Sequence, residues 1–190
     1  MLQTIKTLGF ITLSLAGFSA QASDFGPLMK VARNTWPEKT TIGVVCNYSR
    51  SAQEVQELAL AAGPGTLIQV MDIDRRGQLT EAARRILGAS PDYVVLLARD
   101  SVVPDYSIEA TYLVRFLASR GVPTISTSSV AIEQGAVFAV GQRTQNHLMV
   151  CEKPFGTVTV LLPNKQTAEK LLTGDEPTEK TAQIKVAALR

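Results

Sequence analysis

Small polar and acidic residues stand directly after four short apolar runs. Asn47 and Ser49 follow Ile42-Gly43-Val44-Val45-Cys46, and Asp72 and Asp74 follow Leu67-Ile68-Gln69-Val70-Met71. Asp100 and Ser101 follow the run at 93–98, and Ser126-Thr127-Ser128 follow Val122-Pro123-Thr124-Ile125. The chemistry available to such groups is recognition. Carboxylates hold an ammonium, while hydroxyls and helix amino-termini hold a carboxylate, so the set suits a small polar or zwitterionic molecule. The same residue types also cap helices and make turns, and that role competes with ligand contact at every position. The ligand-facing set is read as Asn47, Ser49, Asp72, Asp100, Ser101, Ser126, Thr127 and Ser128. On that reading, Asp100→Ala abolishes ligand-induced stabilisation and leaves the fold intact.

Catalysis fits less well. The loop Asn47-Tyr48-Ser49-Arg50-Ser51 contains no glycine, so neither a dinucleotide fingerprint nor a phosphate-cradling loop is present. No Gly-x-Ser-x-Gly elbow occurs. His147 is the only histidine, and a general base needs a nucleophile positioned beside it. No enzyme, no catalytic residue and no cofactor are expected. A metal site is not expected either, because only His147 is available to join two distant cysteines, Cys46 and Cys151. Whether those cysteines bridge is open, since Cys46 suits a small buried hydrophobe equally well.

The elements that must position these groups are legible in the hydrophobic pattern. Residues 93–98 form an unbroken, β-branched apolar run too short for a typical helix, as expected of a parallel strand covered on both faces. Further strands are predicted at 41–46, 66–71, 122–125, 136–140, 157–162 and 183–189. Helices alternate with them. Leu28, Val31, Ala32 and Trp36 recur at helical spacing, then Ser51 begins a second helix with Glu54 completing a capping box. Leu79, Ala82, Ala83, Ile86 and Leu87 mark a third, 107–120 a fourth, 132–134 a short fifth and 165–172 another. The pattern blurs over 142–152. This rhythm predicts an α/β fold, a single three-layer α/β/α sandwich with a mainly parallel sheet, Rossmann-like or flavodoxin-like. Polar groups released at the strands' carboxyl ends then share one edge, where open α/β sheets collect ligands.

Lys6, an apolar run at 8–18 and Ala20-Gln21-Ala22 before Ser23 give the three parts of a secretory signal peptide over 1–22. The expectation is export to the periplasm, with 23–190 as one domain. The whole chain carries a formal charge of +2, and losing Lys6 leaves +1. Near-neutrality without a basic stripe argues against a nucleic-acid partner.

Several motifs taken together resemble a known family. They are Pro37 with the segment Lys-Thr-Thr-Ile-Gly-Val-Val-Cys-Asn-Tyr at 39–48, Pro-Asp-Tyr-Val-Val-Leu at 91–96 with Asp100-Ser101-Val102 beyond it, Val122-Pro123, and Val-Ala-Ile-Glu-Gln-Gly-Ala-Val-Phe-Ala-Val-Gly at 130–141. In order and spacing they are similar to the carboxy-terminal lobe, and that lobe only, of periplasmic substrate-binding proteins of the ABC-transporter type, type I fold. The resemblance implies a non-enzymatic solute-binding module, ancillary to ABC-type uptake or sensing of a small polar solute such as an amino acid. It implies that Asn47, Ser49, Asp100, Ser101 and Ser126 to Ser128 face an inter-lobe cleft, and that Gly135 and Ala136 turn the chain into the return strand. The family closes two lobes on its ligand, so the second wall is expected from another copy of the chain, as a homodimer, or from another protein. The alternative is a periplasmic interaction protein that keeps the fold without a ligand and serves a membrane transporter, receptor or sensor.

Overall fold

The computed structural model describes residues 25–142, 146–151 and 182–189. The first helix, α1 (Phe25–Thr35), buries Phe25, Leu28, Met29, Val31 and Ala32, and Trp36 and Pro37 follow its end. The chain then runs β1 (Thr41–Cys46), α2 (Tyr48–Ala62), β2 (Leu67–Asp72), a 3-10 turn (Arg76–Gln78), α3 (Leu79–Gly88) and β3 (Tyr93–Leu96). It continues with α4 (Ile108–Ala118), β4 (Thr124–Ser126), α5 (Val130–Gln134), β5 (Phe138–Gln142), β6 (Asn146–Val150) and β7 (Gln183–Ala188).

These strands form one sheet in the order β6-β5-β4-β3-β1-β2-β7. Every neighbouring pair is parallel except β5 with β6. The central five strands run 2-1-3-4-5, so the order reverses between β1 and β3 and opens a crevice at their carboxyl ends. The expected α/β fold with a mainly parallel sheet is what the chain adopts.

Two apolar layers hold the sheet. Along β1, Ile42, Val44 and Cys46 join the layer under α1 and α2, while Val45 joins the layer under α3, α4 and α5, as the two-residue period of a strand requires. Gly43 lets α3 approach closely. A Cβ there would lie 2.9 Å from Val94 Cγ2 and 3.0 Å from Ile86 Cγ1. In the first layer, Trp36 packs at a tilt against Tyr93 and Phe138, with ring centroids 5.3 and 5.2 Å apart. Gly135 takes φ +106° after α5 and turns the chain toward β5, as expected.

The structure corrects the sequence reading in two places. The second helix starts at Tyr48, not after Ser51, because the Asn47 Oδ1 accepts the Arg50 backbone N–H and caps it. Ser49, Ser51 and Glu54 therefore lie on the helix. A strand, β6, occupies the stretch where no pattern was visible. Among the described residues it is the antiparallel edge of the sheet, which does not call for the unbroken apolar run of the inner strands. Cys46 and Cys151 are both buried and unbonded. Cys46 ends β1, whereas the Cys151 N–H bonds the Val137 carbonyl beside the start of β5, at the opposite end of the sheet. The leader expected at 1–22, the strand expected at 157–162 and the helix expected at 165–172 lie outside the described residues. Among the described residues, no helix is long and apolar enough to cross a membrane.

Candidate functional site

The crevice at the β1/β3 reversal is organised by one carboxylate. Asp100 is 2% exposed, and both of its oxygens are fully engaged. Its Oδ2 accepts the Asn47 backbone N–H and the Ser51 hydroxyl, both at 2.8 Å. Its Oδ1 accepts the backbone N–H groups of Val102 and Val103 at 2.9 and 2.7 Å. Asp100 thus fastens the loop after β3 to the start of α2. Beside it, the Asn47 Oδ1 also accepts the Ser49 hydroxyl at 2.7 Å. Asp72, ending β2, accepts the Tyr48 backbone N–H at 2.9 Å, so a carboxylate faces the positive end of the helix. Ser101 is exposed next to Asp100, and Ser49 is exposed on the first turn of α2.

A second polar group gathers where β4 ends. Ser126 is fully buried, and its Oγ donates to Asp105 Oδ2 at 3.4 Å and accepts the Ser128 backbone N–H at 3.1 Å. The Ser128 hydroxyl accepts the Val130 backbone N–H at 3.3 Å and so leads the chain into α5. Thr127 and Ser128 are half-buried. All eight positions read from the sequence therefore sit at the same carboxyl edge, in two clusters. One spans β2, β1 and β3; the other lies past β4.

Several functional candidates were not singled out from the sequence. Glu54 is half-buried on α2, close to Arg99 and Asp100. Burial pushes its carboxyl up to about 7, with Asp100 and Glu57 adding to the rise and the Arg99 backbone N–H and guanidinium opposing it. Asp105 is also raised, by burial, against the hydroxyls of Ser128 and Ser126. Burial, followed by Asp100, Asp72 and Glu54, pushes the Cys46 thiol far up and makes it a poor nucleophile. Gln134 is buried on α5 against Ser107, the N-cap of α4. The sequence signal for Gln134 was its spacing of three from Ala131, which puts both on one face of the short helix. Among the described residues, no group of three His, Cys, Asp or Glu side chains is arranged to hold a metal ion.

Glu54 gives a pH prediction. Its value is near 7 in the fold and about 4.5 in the unfolded chain, so between those limits the fold holds a proton the unfolded chain has released. Stability therefore falls as pH rises from 4.5 to 7. The loss expected is about 1–2 kcal/mol after discounting for solvent at this half-buried group. Urea midpoints followed by Trp36 fluorescence at pH 5 and pH 8 measure it, and Glu54→Gln should remove this contribution.

No family model matches the sequence, and no curated protein matches it. The fold is similar to a solved structure described as the ABC domain in complex with L-Trp from Streptococcus pneumonia. The TM-score is 0.52 at 14% identity, with 85% of this chain and 50% of that one covered. The chain spans about half the length of that structure. At this identity the likeness shows the fold alone, a mainly parallel α/β unit.

Proposed function

We propose that this chain is an exported, non-enzymatic solute-binding module that takes a small polar molecule such as an amino acid at the carboxyl edge of its sheet. In this reading it is ancillary to ABC-type uptake or sensing in the periplasm. The observation that carries the reading is convergence. Loops from β1, β2, β3 and β4 deliver hydroxyls, carboxylates and helix starts to one edge, at the strand-order reversal where such sheets bind ligands. Support also comes from the structural neighbour, which holds L-Trp.

Asp100 braces the edge, and the groups left to meet a solute are Ser49, Ser101, Thr127 and Ser128 on the rim. Asn47, Asp72 and Ser126 set that rim in place. A pocket for a small molecule buries about 70–90% of it, so one wall is not sufficient. A second copy of the chain or another protein would supply a facing wall.

A second reading, an interaction module that keeps the fold without a solute, is favoured by one observation. The outer face of α4 is open, with Ile108 85% exposed at a groove lined also by Thr111, Tyr112, Arg115 and Phe116, and with Tyr106 70% exposed just before the helix. A thermal-shift screen of the full chain over amino acids, nucleosides and small organic acids separates the two. Solute binding raises the melting temperature by an amount that grows with solute concentration. No shift with any solute, together with co-purification of a membrane partner, supports the second reading.

A further inference from the structure

The sheet is left open along β7. This strand lies outside β2, and among the described residues no strand pairs with its outer edge. It is six residues long and keeps unbroken parallel register with β2 from Gln183 to Ala188. The Gln183 and Leu189 N–H groups bond to the Thr66 and Asp72 carbonyls, so by the two-residue period of the ladder Lys185 and Ala187 also turn their backbone groups to β2. The N–H and C=O groups of Ile184, Val186 and Ala188 therefore point away from the sheet. Edges that stay single are blunted by prolines, bulges or repeated charges, whereas this one has no proline or bulge and Lys185 as its single charge. Val186, in the middle of the outward row, is 41% exposed.

That row is complementary to itself. In an antiparallel pair of two β7 strands centred on Val186, the two copies of Val186 face each other, Ile184 of each copy faces Ala188 of the other, and Lys185 of each faces Ala187 of the other. All the outward backbone groups then exchange hydrogen bonds, apolar side chains meet on one face, and each lysine lies opposite an alanine. Centring the pair on Lys185 would instead set two ammonium groups directly opposite and carry Ala188 past the start of the other strand. We propose that β7 is the seam of a homodimer in which two copies join edge to edge into one continuous sheet about a two-fold axis. The inference goes beyond the solute-binding reading and does not depend on it. A two-fold across β7 points the two carboxyl edges in opposite directions, so each crevice stays open to a solute and to another protein.

The test is sedimentation equilibrium of the full chain over a wide range of concentration, with amide hydrogen exchange read at the low and high ends. The expected result is a monomer–dimer equilibrium in which the amides of Ile184, Val186 and Ala188 exchange more slowly as dimer forms. Val186→Pro deletes the central donor without taking a bond from β2, and Val186→Lys sets like charges opposite each other; each should weaken the dimer about ten- to a hundredfold. Because position 186 is exposed, the variants should melt close to the parent at low concentration. If Val186→Pro does not fold, Val186→Lys carries the test. A chain that stays monomeric at every concentration, a dimer that the variants leave intact, or amides at 184, 186 and 188 that are already slow in the monomer would overturn the proposal.

Discussion

Asp100→Ala should destabilise the chain by about 3–5 kcal/mol, the cost of breaking a buried, hydrogen-bonded charge network. The substitution strips the acceptor from three backbone N–H groups, those of Asn47, Val102 and Val103, and from the Ser51 hydroxyl. None of these has room to turn to water without opening the crevice, since Asp100, Asn47, Ser51, Val102 and Val103 are all buried. For a chain of this size the loss corresponds to a melting temperature lower by about 10 °C. Urea unfolding followed by Trp36, the only tryptophan, measures it. Asp100→Asn keeps one acceptor oxygen and should cost about half as much by the same count of lost acceptors. This overturns the expectation that Asp100→Ala would spare the fold. An Ala variant within about 1 kcal/mol of the parent would mean that the brace is not what holds the crevice.

Trp36→Ala should destabilise by a similar amount, about 3–5 kcal/mol, the range for removing a buried Trp or Phe. Its ring fills the angle between Tyr93 and Phe138, the first residues of β3 and β5, and it is 4% exposed. Both contacts are at the amino end of the sheet, away from the crevice. The two substitutions therefore match in magnitude and differ in consequence. Folded Trp36→Ala protein should bind solute like the parent, whereas folded Asp100→Ala protein should bind it poorly because the β1 and β3 loops are no longer tied. Circular dichroism in urea gives the stability of the Trp36 variant, and calorimetry on both folded variants checks the contrast.

The architecture was legible because its central strands are buried on both faces. Unbroken apolar runs such as 93–98 and helical stripes such as Leu79, Ala82, Ala83 and Ile86 leave little ambiguity once they alternate. The edge of the sheet was harder to read. β6 is antiparallel and carries no long apolar run, and nothing local distinguishes it from a loop. The carboxyl edge was legible as a location, because polar residues must follow where a buried strand stops. Their individual roles were not. Whether Asp100 faces a solute or backbone amides depends on where Asn47 and Val103 lie, which is a tertiary fact. The start of α2 was misread because Asn47 and Ser51 are both good caps, and Asn47 won by reaching the Arg50 amide. Gln134 meets Ser107 only through the packing of α5 on the β3–α4 loop, beyond the reach of any local motif.

The claim that solute recognition belongs to the carboxyl edge is tested most directly by amide NMR of the full chain, titrated with the best compound of the screen. The largest chemical-shift changes should fall at Ser49, Ser101, Thr127 and Ser128, with the amides of Trp36, Tyr93 and Cys151 at the opposite end little moved. A saturable response centred on those amino-end residues, or on the outer face of α4, would contradict the account.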